Sequence, residues 1–325
     1  MSRVAAIDCG TNSIRLLVAD VDPQTGRLVD LTRRMTVVRL GQGVDSTGQF
    51  APEALERTFA AVDEYAAACQ ELGAESIRFV ATSATRDAHN RDAFLDGILS
   101  RLGVFPEVIS GQEEAALSFS GVVGSVAGTA PYLVVDLGGG STELALGGTD
   151  TPETPTGADE LRAAISMDVG CVRLTERHLT ANPPTAAQLA AAAGDVHAAL
   201  AAASGVVPIG ETGTLVGVAG SITTVTAHAL RLTRYDPDAI HGSVLPVGTI
   251  IDSCDALIAA THDERAAMPF MHPGRVEAIG AGALVWREVV LAVADAVAGQ
   301  GGSLATVTTS EHDILDGIAL ALARQ

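Results

Sequence analysis

Tyr132-Leu-Val-Val-Asp136-Leu-Gly138-Gly139-Gly140-Ser141-Thr142-Glu143-Leu-Ala-Leu146 is an apolar run that ends in an acid, turns through glycine, serine and threonine, and returns as a second apolar run. Both runs are short and rich in leucine and valine, which suits paired strands. The same plan stands 128 positions earlier, in Val4-Ala-Ala-Ile-Asp8-Cys9-Gly10-Thr11-Asn12-Ser13-Ile-Arg15-Leu-Leu-Val-Ala-Asp20. Two copies of one strand–turn–strand unit point to a duplicated architecture. We therefore expect two related halves whose turns face each other across a cleft.

Between and after the copies the text alternates. Helices are expected over 52–71, 92–102, 113–121 and 185–203, then through about 230 and over 246–260. Strands are expected over 76–82, 105–109 and 163–169, and at Leu215 to Ser221, which runs into a glycine turn. The acidic, low-complexity stretch 147–160 reads as an exposed hairpin loop. These alternations predict an α/β protein of two domains, 1–127 and 128–325, with a terminal helix near 313–324 packing back on the first. A change of composition at Gly124-Ser-Val-Ala-Gly128-Thr marks the boundary.

Composition narrows the chemistry. All 20 basic side chains are arginine against 39 acids, a net charge of −19. Without lysine there is no Walker A phosphate loop, no Schiff-base amine and no Ser-x-x-Lys hydrolase. A pI near 4.6 argues against DNA and membrane surfaces as partners. Aromatics at 3% make no stacking platform for single strands. The first apolar run is too short for a signal peptide and is broken by Asp8, and no long uncharged apolar segment follows. Cys9, Cys69, Cys171 and Cys254 are far apart, which suits reduced thiols better than zinc or disulfides. A cytoplasmic protein is expected.

A turn that wraps a phosphate needs inward N–H groups, close backbone approach and hydroxyl donors. Gly10, Thr11, Asn12 and Ser13 supply them in one copy, and Gly138, Gly139, Gly140, Ser141 and Thr142 in the other. A dinucleotide fold does not fit, because a Gly-x-Gly-x-x-Gly spacing and a following helix are both missing. Folding back at the turn brings Asp136 opposite Glu143, so the two carboxylates could share a hard cation. At the same offset from Asp8 the residue is Arg15, which reads either as a positive jaw of a phosphate clamp or as a solvated strand residue. Thr82-Ser-Ala-Thr-Arg86-Asp-Ala-His-Asn90 sets a guanidinium at a helix start, and Ser110-Gly-Gln-Glu113-Glu114-Ala115 sets two acids at another.

In order along the chain, Asp8-Cys-Gly-Thr-Asn-Ser, Thr82 to Asn90, Ser110 to Ala115 and Asp136 to Glu143 resemble the exopolyphosphatase / guanosine pentaphosphate phosphohydrolase (Ppx/GppA) family, within the actin–sugar kinase–Hsp70 superfold. The resemblance continues through Val216-Gly-Val-Ala-Gly-Ser, His241-Gly242, Asp263-Glu-Arg265 and Arg275-Val-Glu277, so it covers essentially the whole chain. It implies two actin-like (ASKHA, ribonuclease H-like) domains with the substrate in their cleft. It also implies Mg²⁺ or another divalent cation at Asp136 and Glu143, with Asp8 nearby, and phosphate on Arg86, Arg15 and the two turns. Glu114, the second acid of its pair, would orient or deprotonate the attacking water.

The activity so implied is Mg²⁺-dependent release of orthophosphate from the end of inorganic polyphosphate. The rival is hydrolysis of pppGpp to ppGpp, with these stringent-response nucleotides as substrate or inhibitor. A kinase on the same superfold and a non-enzymatic scaffold complete the alternatives. A homodimer follows from the resemblance alone. The chain has no counterpart of the helical C-terminal domains of longer family members, which implies a preference for short polyphosphate. Two departures stand out. Cys9 replaces an aliphatic residue, leaving it either inert or open to oxidation, and Glu277 stands where the family commonly has Asp.

Overall fold

The computed structural model describes residues 1–149 and 161–324. From position 150 on, the expected hairpin loop lies outside the described residues. The chain divides into two units, Met1–Gly121 with Ile314–Gln325, and Val122–Asp313.

The first unit is built on the strands β1 (Ser2–Cys9), β2 (Ser13–Val21), β3 (Leu28–Val37), β4 (Ser76–Ala81) and β5 (Glu107–Val108), in the order β3-β2-β1-β4-β5. The first three pair antiparallel, and β4 and β5 run parallel to β1. Its helices are α1 (Val44–Thr47), α2 (Pro52–Leu72), α3 (Ser83–Asp87), α4 (Arg91–Leu102) and α5 (Gly111–Val122). Strand alternation assigns the faces. Ala5, Ile7 and Cys9 join Phe79, Tyr65 and Phe94 in the core under α2 and α4. Val4, Ala6, Leu17 and Val80 point the other way, toward Leu117 of α5 and the terminal helix Ile314–Ala323. Burial of Ile314, Leu315 and Ile318 stabilises the docking of that helix by about 1.5–3 kcal/mol each. Arg33 adds a two-pronged bond to the buried Asp316, at 2.6 and 3.1 Å.

In the second unit β6 (Tyr132–Leu137), β7 (Thr142–Gly147), β8 (Leu161–Met167), β9 (Thr214–Val218), β10 (Val244–Pro246) and β11 (Thr306–Thr309) form a sheet in the order β10-β11-β9-β6-β7-β8. Without the short edge β10, this is the first unit's order again. Around it stand α6 (Cys171–Arg177), α7 (Ala186–Ala203), α8 (Ala219–Ala229), α9 (Pro237–Ile240), α10 (Val247–Ala259), α11 (His262–Ala266) and α12 (Ile279–Gly299). Thr185 and Gln188 close a capping box at the start of α7, which fixes where that helix begins. The apolar α12 lies in the core, with Trp286 packed where a Cβ on Gly217 would stand. Two repeats of this order make the protein α/β with two actin-like, ribonuclease H-like units. No helix among the described residues is long and apolar enough to cross a membrane.

Several elements differ from expectation, and β10, β11, α6 and α12 lie outside the segments expected above. β3 was not anticipated, because Asp30, Arg33 and Arg34 interrupt its apolar pattern; it is an edge strand, half in water. The strand expected over 105–109 shrinks to two residues, since Pro106 has no N–H to give the ladder. The glycine turn after Val218 is already the first turn of α8, entered through Ala219 at φ 70°.

All four cysteines are buried and free. Burial raises the Cys9 thiol well above its ordinary 9.0, with the charge of Asp8 adding to the shift, so Cys9 stays protonated. Of its two readings, the inert one fits. Burial also pushes Cys69 up to about 11 and raises Cys171 and Cys254.

Native protein at pH 8 should give less than one fast-reacting thiol per chain with a chromogenic disulfide, and four in denaturant. Rapid labelling of Cys9 in the folded protein would contradict its burial. The stability these thiols contribute is complete below pH 9.0 and lost as pH rises through their folded values, from about 11 for Cys69, because the unfolded chain releases those protons first. A second prediction concerns Gly317, where a Cβ would stand 2.0 Å from the Leu117 carbonyl. Gly317→Val should destabilise the first unit by about 1–3 kcal/mol in denaturant titration; an unchanged midpoint would mean that the helix is not seated so closely.

Candidate active site

Each sheet carries its acid at the end of its first strand, followed by a turn closed by the same bond. Gly10 N–H donates to the Ser13 carbonyl at 3.0 Å, and Gly138 N–H to the Ser141 carbonyl at 3.0 Å. These two amides are thus used inside their turns. The pairing register then sets Asp8 opposite Arg15 and Asp136 opposite Glu143. Whole rows correspond: Val80, Asp8, Arg15 and Met35 in the first unit, and Val218, Asp136, Glu143 and Ser166 in the second.

The carbonyls of both turns are tied back. In the first unit the Asn12 carbonyl accepts from the amides of Val38 and Arg39 at 3.0 and 2.8 Å, and Thr11 from Gly41 at 2.8 Å. In the second, Gly138 accepts from Cys171, and Gly139 from Val172 and Arg173, all in the first turn of α6. Arg173 Nε adds a 2.7 Å bond to the Gly140 carbonyl. A trans peptide directs its C=O and the next N–H oppositely. The amides of Asn12 and Ser13, and of Gly139, Gly140 and Ser141, are therefore turned to the other side, as an anion cradle requires. Gly170 makes the second arrangement possible, since a Cβ there would lie 2.5 Å from the Gly139 carbonyl oxygen. The Thr142 hydroxyl serves structure, donating to the Val169 carbonyl at 2.7 Å.

In the first unit Arg15 donates from Nε and Nη2 to Asp8 Oδ2, at 3.0 and 2.7 Å. Asp8, expected beside the metal, is thus engaged with a cation of its own chain, and Arg15 is a half-buried, ion-paired residue more than a solvated one. Tyr65 from α2 donates to the Ile14 carbonyl between Ser13 and Arg15, which holds the hairpin against the core.

Across the other hairpin the pair is acidic on both sides. Asp136 is 7% exposed and Glu143 1%. Ser166 donates to Glu143 Oε1 at 2.7 Å. Like charges directly opposite repel, and burial sharpens the repulsion. The donor set is entirely hard oxygen, with no sulfur or imidazole, which fits Mg²⁺, Mn²⁺ or Ca²⁺. Among the described residues no cluster of three or more His, Cys, Asp or Glu side chains assembles that could hold a metal. Two carboxylates with water and substrate phosphate filling the remaining positions is a usual Mg²⁺ arrangement.

α5 separates the two adjacent glutamates by helical phase. Ser110 caps it, its hydroxyl accepting from the Glu113 amide at 3.1 Å. Glu113 turns outward, its side chain 46% exposed and bonded to Arg78. Glu114 turns inward, 8% exposed, with Arg86 Nη1 at 2.7 Å from Oε2. The same Nη1 donates to the Ile109 carbonyl. Arg86 keeps Nε and Nη2 without a protein partner among the described residues, in the geometry that grips oxyanions. α5 packs through Leu117 on the sheet face that also carries Asp8 and Arg15. Sequence reasoning missed Arg173 and Arg78, both of which act through residues distant in the chain; the Gly170-Cys171 helix start after a strand was the one local signal for the first.

The chain is 47% identical to Exopolyphosphatase 2 of Mycobacterium tuberculosis, with 99% of each chain covered. A crystal structure of an exopolyphosphatase-like protein superposes with a TM-score of 0.93 at 45% identity, covering 99% of both chains. That of the Aquifex aeolicus Ppx/GppA family member gives 0.76 at 27% identity, covering 99% of this chain and 97% of the other. The model of the Ppx/GppA phosphatase family matches residues 17–311. With two sheets of one order, a family match over most of its length and a 47%-identical relative covered almost end to end, this chain belongs to the Ppx/GppA phosphatase family.

Proposed function

We propose that the protein is an exopolyphosphatase that hydrolyses the terminal phosphoanhydride of inorganic polyphosphate and releases orthophosphate. The name of the 47%-identical relative supports polyphosphate over guanosine pentaphosphate as the preferred substrate. The observation that carries the chemistry is the buried acid pair Asp136 and Glu143, set opposite each other beside a glycine turn whose amides are free of its tied-back carbonyls.

The residues divide the work as follows. In the second unit the amides of Gly139, Gly140 and Ser141 bind oxygens of the terminal phosphoryl group, and in the first unit those of Asn12 and Ser13 offer a like cradle for phosphate oxygens. Arg86 offers Nε and Nη2 to phosphate oxygens while its Nη1 holds Glu114. Arg15 contributes positive charge near the first turn, tempered by Asp8. Asp136 and Glu143 would hold the divalent cation, whose charge would offset that of the phosphoryl oxygens. Glu114 orients a water and takes its proton as the water oxygen bonds to phosphorus. The bridging P–O bond breaks, and the shortened chain leaves with the electron pair on its new terminal oxygen. Such a transfer asks for positioning and charge neutralisation more than for covalent help.

Purified protein with Mg²⁺ should release phosphate from polyphosphate fastest, from pppGpp more slowly and from ATP far behind, and a chelator should abolish release. Glu114→Gln should lower kcat by about 10²–10⁴ while polyphosphate still binds, the contribution expected of a general base. Activity within a few-fold of wild type would overturn the assignment of Glu114. Faster release from pppGpp would overturn the choice of substrate.

A further inference from the structure

The connection from Glu107 to Glu114 carries the carboxylate read above as the base; buried Ile109, with its amide on the Ala81 carbonyl at 3.2 Å, and the Ser110 cap anchor its middle, while its start on β5 is thinly held. β5 offers two residues, paired with β4 only as Val80↔Glu107 and Ala81↔Val108. An open cavity of about 680 Å³ borders this segment and is lined by Leu95, Phe105, Pro106 and Val108. Phe105 is 58% exposed, so the apolar backing that a core strand would have is missing there.

Two arginines take over its placement. Arg86 grips the segment at the Ile109 carbonyl and at Glu114, as described. Arg78, on β4, forks to its two other acids. Nε and Nη2 donate to Glu107 Oε2 at 3.1 and 2.8 Å, and Nη2 also donates to Glu113 Oε1 at 2.9 Å. The Arg78 side chain is 12% exposed while Glu107 and Glu113 are 51% and 46% exposed, so the guanidinium is held in place and its two carboxylates reach it from the solvent side. Its two acids bracket the connection, one on β5 and one in the first turn of α5. Glu113 and Glu114 are consecutive in that turn, so whatever fixes the backbone of one fixes the other.

We infer that Arg78 is a positioning residue for hydrolysis. By tying Glu107 to Glu113 it sets the first turn of α5, and through it the Glu114 carboxylate. Arg86 is then able to turn its remaining donors to substrate without releasing the base. The inference rests on the assignment of Glu114 made above. A shift of the order of 1 Å in a reacting group costs about 10²-fold in rate, which sets the scale of the effect.

The test is steady-state kinetics on polyphosphate in two backgrounds. In otherwise wild-type protein, Arg78→Met should lower kcat by about 10- to 100-fold with KM within about twofold. Arg78→Lys should recover part of the loss, because an ammonium reaches the two carboxylates without the planar fork. In Glu114→Gln protein, Arg78→Met should change the residual rate by less than about twofold, since no base remains to be misplaced. Glu113→Gln, a change at an exposed side chain, should lower kcat in the same direction and show the same indifference in the Glu114→Gln background. Wild-type kcat in both Arg78→Met and Glu113→Gln would overturn the inference. So would an equal fractional loss from Arg78→Met in both backgrounds, the mark of a purely structural role. Full activity in Glu114→Gln alone would instead remove the base assignment, and this inference with it.

Discussion

In a hairpin closed by a four-residue turn, the residue one before the end of the first strand faces the residue seven places later. That constraint acts twice in this chain and gives opposite results. In the first unit it joins Asp8 to Arg15, and the charges cancel. In the second it sets Asp136 against Glu143, two acids with little solvent to screen them. Unit charges 4 Å apart repel by about 4 kcal/mol at an effective dielectric of 20, more than most single interactions contribute to a fold. In the function proposed above, a divalent cation held by the pair would offset that repulsion. The duplicated scaffold is symmetric in topology and asymmetric in charge, and the asymmetry is where chemistry enters.

The turns themselves show one solution reached by different means. Their carbonyls must be bonded on one side if their amides are to serve a ligand on the other. A loop of residues 38–41 does this in the first unit, and the first turn of α6, assisted by Arg173, does it in the second. The partners differ because the requirement concerns the peptide planes, and any donors of suitable direction meet it. Gly170 belongs to this requirement although it touches no proposed ligand, since a side chain there would collide with the turn it helps to hold.

Much of this was legible because it is local. Acid, glycine turn and returning strand lie within a dozen residues, and a cross-strand neighbour follows from counting. The choice of Glu114 over Glu113 came from the family resemblance; the structure supplies a physical ground, an inward phase on α5 and Arg86 at 2.7 Å. What could not be read is set by contacts distant in the chain. β3 looks polar because one edge meets water, and its bond from Arg33 to Asp316 spans almost the whole sequence. Arg78 and Arg173 are ordinary arginines until the fold shows what they bridge. The sequence left Cys9 ambiguous until burial and the neighbouring Asp8 made it inert.

The account stands or falls on the acid pair. Titration of Mn²⁺, followed by loss of its free electron-paramagnetic-resonance signal, should show one site per chain in the presence of a short polyphosphate. Glu143→Gln should weaken that site at least about tenfold, whereas Asp8→Asn, whose carboxylate already serves Arg15, should leave it within about twofold. Equal Mn²⁺ affinity in wild-type and Glu143→Gln protein would contradict the central claim.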